Sequence, residues 1–247
     1  MTPPSPKNRP SQPAIGAEAR ADRGSRAKHG GATGATGATG ASGTGAASRT
    51  SGAGGASGAS GASDKREAIL NAALELFVER GFWGTAVPEI AERAGVGAGT
   101  IYRYFDSKEA LVNAIYRQQK MRFSSSVLES FPANANTREQ FRTIWMRMAA
   151  FATANVSAFI FLELHHHASY LDAESRAVEQ RMLEVITAVV QAAQQRRELK
   201  QGSARLLMGM VMGALVGVIR SCLDFNQDVA TADWAFAEQC VWEAIRS

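Results

Sequence analysis

From residue 64 onward, apolar side chains recur with a helical period, and no convincing stretch alternates as a strand would. Asp64 followed by Glu67 has the spacing of a capping box. Ile69, Ala72, Ala73, Leu76 and Phe77 then share one face up to Arg80, and Gly81 supplies a left-handed stop. Phe82 and Trp83 are placed to pack the corner. Thr85 reads as the N-cap of a second, short helix, with Pro88 in its first turn, where a missing N–H costs little. Val87, Ile90, Ala91 and Ala94 form its inner face, Gly95 ends it and Val96 plugs the turn. A third helix is predicted over 98–105. Ile101 and Phe105 face inward, Thr100, Arg103 and Tyr104 outward, and Tyr102 lies at the flank. A fourth opens at Asp106, spaced to Glu109 as a second capping box, and buries Leu111, Val112 and Ile115.

The remainder also reads as helices, near 107–129, 138–153, 155–169, 173–198, 203–223 and 231–246. Pro132 with Asn134 and Asn136, then Gly202, then Asp224 to Asp228 mark the breaks. The fold class is therefore all-α. A three-helix head over 64–112 precedes a helical body over 113–247.

Residues 1–63 differ from this pattern. They are mostly Gly, Ala, Ser, Thr and Pro, with the runs GATGATGATG and GASGASGAS. So few large apolar side chains cannot offset the entropy of ordering, and the segment is expected to be a disordered tail. It carries seven basic residues against Glu18 and Asp22, so it accounts for +5, and with +4 on the whole chain the rest is left at −1. The basic pI belongs to the tail. Nucleic-acid binding by the folded part must come from where its charges sit.

The stretch TAVPEIAERAGVGAGTIYRYFDSKEAL, 85–111, is laid out as a helix-turn-helix. Its third helix is short, exposed on one face and held by its neighbour, as a groove-reading helix must be. Ala98 and Gly99 are small enough for close backbone approach to DNA. Thr100, Tyr102 and Tyr104 offer hydroxyls, and Arg103 offers a guanidinium to phosphate or guanine. Thr85 and Lys108 stand at helix N-termini, which attract anions. With ILNAALELFVERGFWGT before it, this segment closely resembles the N-terminal domain of the TetR family of transcriptional regulators, over residues 66–112. The resemblance implies a homodimer on palindromic double-stranded DNA, with contacts from Thr85, Gly99, Thr100, Tyr102, Tyr104 and Lys108. Two positions depart from the family pattern. Gly97 replaces a usual serine cap, and Ala98 replaces a polar or basic residue.

Gly209, Gly213 and Gly217 recur every four residues in LLMGMVMGALVGVI, 206–219. Each costs a helix about 1 kcal/mol relative to Ala, which close helix–helix approach would offset. With Trp234, Ala237, Val241 and Ile245 on the last helix, they mark a candidate dimer interface, which the family resemblance also implies; intrachain core is the competing reading. The run falls short of the roughly 20 residues of a membrane span, and no membrane partner is expected. The N-terminus has no apolar leader core, and Cys222 and Cys240 read as free thiols, so the expected location is cytoplasmic. Trp145, Met148, Phe151, Phe159, His166 and Met182 are candidates by residue type for the wall of an effector pocket, or equally for core. In FLELHHHASYLD, 161–172, Glu163 and His167 lie one helical turn apart and offer two metal ligands, but no third stands out. No cofactor is expected.

These features favour a ligand-responsive regulator, a repressor released from its operator by a small molecule. An architectural DNA binder without an effector, or a metal-dependent enzyme built on Glu163 and His167, are the alternatives. No nucleophile with an orienting base and no phosphate loop appears, so no enzymatic activity is expected.

Overall fold

The structure, a computed structural model, describes residues 55–165 and 167–247, with side chains from Gly61 onward. Residues 1–54 of the tail expected over 1–63, and the candidate pocket residue His166, lie outside the described residues. Among the described residues there are nine α-helices: α1 (Gly55–Arg80), α2 (Val87–Arg93), α3 (Ala98–Tyr104), α4 (Lys108–Leu128), α5 (Thr137–Ala154), α6 (Val156–Leu164), α7 (Ala173–Gln195), α8 (Ala204–Asp224) and α9 (Trp234–Ile245). A short 3₁₀ turn, Val229–Thr231, precedes α9, and among the described residues strand-like pairing is limited to one isolated bridge, Leu199 with Arg246.

Several boundaries correct the sequence reading. α1 begins at Gly55, so residues 55–63 are helical and Asp64 lies inside the helix rather than capping it. Once Ile69 to Phe77 are buried, each added turn costs far less than nucleation, and GASGASGAS holds no proline to stop it. The N-cap of α4 is Ser107, whose Oγ accepts from Ala110 N–H at 3.0 Å, not Asp106. α6 ends at Leu164 instead of continuing to 169, and His165 is extended. A side chain closes its end. His167 turns back with its imidazole Nε2 against the carbonyl of Phe161, an acceptor that one more helical turn would have used.

The two expected glycine stops are in place. Gly81 and Gly95 have φ of 71° and 67°. At Gly95 the chain closes a Schellman motif, with Val96 N–H to Ala91 O and Gly95 N–H to Glu92 O.

One core runs through head and body. Ile69, Leu76 and Phe77 of α1, Ile90 of α2 and Ile101 of α3 join Leu111, Ile115 and Phe123 of α4, which continue into Trp145, Phe159 and Phe161. α4 belongs to both parts and crosses the expected boundary at 112/113 unbroken. α5 and α6 meet at a bend of 111° around Asn155.

α8 is 21 residues long with a mean hydropathy of 2.0, yet only 17% of that apolar window is buried. Length and composition alone would let it cross a membrane, contrary to the length argument from sequence. Nor are its glycines buried against other described residues: among these, a Cβ placed on Gly209, Gly213 or Gly217 meets nothing within 4 Å. Leu206, at 64% exposure, and Met210 lie on the same open side, with Phe236 of α9 also exposed at 65%. Val241 and Ile245, by contrast, are buried in the body, and Trp234 is half-buried and receives the indole N–H of Trp145 on its carbonyl at 2.9 Å.

Candidate nucleic-acid interface

α3 is seven residues long and rests on Ile101, its one buried residue, with Phe105 buried just beyond. Ala98, Gly99, Tyr102 and Arg103 are exposed, and Thr100 and Tyr104 are half-exposed. The structure therefore brings six of the sequence-predicted residues onto one short outward surface. Tyr104 is partly engaged, its hydroxyl donating to Ala62 O at 3.1 Å. Gly97 has no side chain to cap α3, as its sequence departure implied.

Two other predicted contacts have different surroundings. Thr85 is 2% exposed, and its hydroxyl lies 3.1 Å from Leu76 O and 2.9 Å from Gly81 O, at the end of α1. It does not cap α2. Ala86 occupies that place, and the Glu89 carboxylate accepts from Ala86 N–H at 3.0 Å, which is half of a capping box. Lys108 sends its ammonium inward, donating to Phe82 O at 2.8 Å and Thr85 O at 3.0 Å while lying 4.3 Å from the centre of the Phe82 ring. It fastens the start of α4 to the α1–α2 corner. A lysine in the first turn of a helix opposes the helix dipole, which was the one sequence signal that it serves another partner.

Ion pairs fix α2 against α1. Arg93 bonds both carboxylate oxygens of Glu79, and Arg80 meets Glu89 at 2.7 Å. Hydrogen bonding from Arg93 lowers the Glu79 pKa, and the Ala86 N–H does the same for Glu89. Surface pairs of this kind add little stability singly. Their effect here is orientation, because α2 is the shelf on which α3 sits.

In the body, Trp145, Met148, Phe151, Phe159 and Met182 are all buried in the core. The cleft in this part of the molecule lies elsewhere, between α4, the end of α6 and the start of α7. It has a volume of about 330 Å³ and is lined by Tyr116, Leu162, His165, His167, Leu171 and Glu179 among others. Glu163 pairs instead with Lys120 at 3.4 Å, and His167 Nδ1 accepts from the Tyr170 hydroxyl at 2.8 Å. With its other nitrogen on Phe161 O, His167 has both ring nitrogens occupied, and α6 ends before it could share a helical face with Glu163. Among the described residues no group of three or more His, Cys, Asp or Glu side chains is placed to hold a metal ion.

Burial lowers the pKa of His167 and of His165. The folded state therefore binds protons less readily than the unfolded chain, whose histidines titrate near 6.5. This contribution to stability is fully present above that value and is lost as pH falls from it through the lowered folded values. The urea midpoint is expected to drop between pH 7.5 and 5.5, a window above the carboxylate range, and His167→Gln should flatten that drop. An equal pH dependence in wild type and variant would show that His167 does not carry it.

A short exposed helix held on a second helix, and joined through α4 to a helical body, is the arrangement of a helix-turn-helix head. The comparisons agree. "Bacterial regulatory proteins, tetR family" matches residues 69–115, and "Tetracyclin repressor-like, C-terminal domain" matches residues 116–247, just over half the chain. The chain belongs to the TetR family of transcriptional regulators. It is similar to the fatty acid metabolism regulator protein of Bacillus subtilis, 25% identical over 150 residues, which is 60% of this chain and 77% of that one. Identity to the transcriptional regulator RutR of Escherichia coli reaches 52%, but over 54 residues, 22% of this chain and 26% of RutR. A TetR-family regulator from Shewanella superposes with a TM-score of 0.64 at 25% identity, covering 74% of this chain and 98% of its own.

Proposed function

We propose that this protein is a homodimeric repressor that reads a palindromic operator through α3 and leaves it when a small molecule occupies the cleft beside His165 and His167. The observation that carries the DNA reading is the outer surface of α3. Small residues at Ala98 and Gly99 allow close approach, and Thr100, Tyr102 and Arg103 stand ready to bond phosphates and base edges. Tyr104 joins them from the flank. In this reading Thr85 and Lys108 act mainly by holding the corner that presents the N-terminus of α2 to phosphate.

Dimerisation follows from the open face of α8 and α9. A second copy laid on Gly209, Gly213 and Gly217 would cover the exposed Leu206, Met210 and Phe236. The two α3 helices then need to stand about 34–36 Å apart to enter successive major grooves. Occupying an operator suffices to repress, whereas activation requires a further surface for the transcription machinery. The protein works where bacterial DNA is, in the cytoplasm.

The effector is proposed to be compact, because a cleft of about 330 Å³ is at the small end of ligand sites. It acts only by binding one arrangement of the head better than the other. Selection of bound genomic fragments by the purified full chain tests the reading. A short palindrome with half-sites one helical turn apart, or a multiple of it, is the expected result. Binding with no preferred sequence would overturn it in favour of an architectural DNA binder.

A further inference from the structure

Between α6 and α7 the chain runs as a strap, described at His165 and over 167–172, that belongs at once to the cleft and to the head. On the cleft side it contributes His165, His167, Ala168 and Leu171 to the wall. On the head side the Tyr170 ring stacks on Phe82, with centroids 4.4 Å apart and planes 27° from parallel. Phe82 is the corner residue between α1 and α2 whose ring and carbonyl hold the Lys108 ammonium, and the same ammonium binds Thr85 O two residues before α2. The Tyr170 hydroxyl meets His167 Nδ1, so the cleft wall and the stacked ring are joined by one hydrogen bond.

The strap is also clamped to α4. Asn113 is 2% exposed, donates from Nδ2 to Tyr170 O at 2.8 Å and accepts Asp172 N–H on Oδ1 at 2.9 Å. Arg117, one turn along α4, bonds the Asp172 carboxylate at 2.9 Å. A buried amide that loses such partners is left unsatisfied, which is costly. Intermediate positions of the strap are therefore disfavoured, and it keeps its place or leaves as a unit.

We infer that this strap is the transmission element of the regulator: a ligand entering the cleft displaces His167 and Leu171, carries Tyr170 with them, and so releases the Phe82–Lys108 corner that orients α2 and α3. Tyr170 and Asn113 are positioning residues in this scheme and touch neither DNA nor ligand. The inference rests on the operator-and-effector reading above. Coupling of this kind is read as a non-additivity between substitutions.

The test is a double-mutant cycle on operator affinity that needs no known effector. Ala168→Trp places an indole at the cleft wall as a surrogate occupant, since Ala168 is exposed and lines the cleft. In the wild-type background it is expected to weaken operator binding at least tenfold and to speed amide hydrogen exchange in α2 and α3. In a Tyr170→Leu background, where the link is already cut, the same change should alter affinity less than twofold. If Tyr170→Leu does not fold, Tyr170→Phe, which keeps the ring and loses the bond to His167, must still reduce the effect of Ala168→Trp on operator affinity. Additive effects, or an Ala168→Trp variant with unchanged affinity, would overturn the inference. A wild-type chain that selects no operator at all would overturn the regulator reading itself, so the two failures are distinguishable.

Discussion

Glutamate in place of Gly99 is expected to abolish operator binding while leaving the fold intact. Gly99 is exposed in the first turn of α3, and a Cβ built there meets nothing within 4 Å. Its φ lies outside the left-handed region, so a side chain is tolerated by the backbone as well. Glu is the better helix former by roughly 0.5–1 kcal/mol. A carboxylate near a helix N-terminus is also favoured by the dipole. The variant should therefore melt at or above the wild-type temperature. On DNA the same side chain is doubly unfavourable, because it fills the gap that lets the backbone approach and it sets a negative charge toward phosphates. A loss of at least 100-fold in affinity is expected, by fluorescence anisotropy on the selected operator. Arg103→Ala serves as the graded comparison, with weaker binding and a salt slope reduced by about one. Unchanged affinity in Gly99→Glu, with the fold retained, would move the DNA-reading surface away from α3.

The head was legible because its signals are local and mutually consistent. Ile69, Leu76, Ile90, Ile101 and Leu111 keep helical spacing and are all buried, and Gly81 and Gly95 stop their helices where the pattern ends. What the sequence missed turns on choices between near-equal local options or on distant partners. Thr85 is a good capping residue, but the carbonyls of Leu76 and Gly81 near the end of α1 compete for its hydroxyl and win. Asp106 and Ser107 are adjacent and equally suited, and Ser107 takes the cap. The end of α6 is decided by an imidazole that returns from three residues beyond the helix, which no periodicity can encode. Residue type alone also cannot separate a pocket wall from a core. Trp145 and Phe159 close the interior, while the open cleft is walled by Tyr116, Leu171 and residues of the histidine run. On α8 the glycine stripe was legible as an approach surface, but among the described residues nothing lies within 4 Å of a Cβ placed on it.

That open stripe leads to the second large effect: Gly213→Arg is expected to hold the protein as a monomer and thereby to cost most of its operator affinity. Gly213 lies at mid-helix between Gly209 and Gly217, and among the described residues none of the three meets a neighbour within 4 Å on the side where a Cβ would stand. In the isolated chain the substitution is thus accommodated, and replacing Gly with Arg even raises helix propensity by roughly 0.8 kcal/mol. In a dimer packed through this face, the guanidinium would stand in the seam between closely approaching helices. Leu206, Met210, Phe236 and the glycines of this face offer it no carboxylate, and desolvating an unpaired charge is far costlier than the propensity gained. Sedimentation velocity should show a dimer for wild type and a monomer for the variant, with an unchanged or higher melting point for the isolated chain at low concentration. Losing the second half-site contact removes the effective-concentration advantage of a bivalent protein, an expected drop of about 10²–10⁴ in operator affinity. The two readouts test different steps. A variant that remains dimeric would place the interface elsewhere and leave the apolar face of α8 and Phe236 to another occupant. A true monomer with undiminished affinity would show that a single α3 suffices for recognition, and the palindromic-operator reading would then fall.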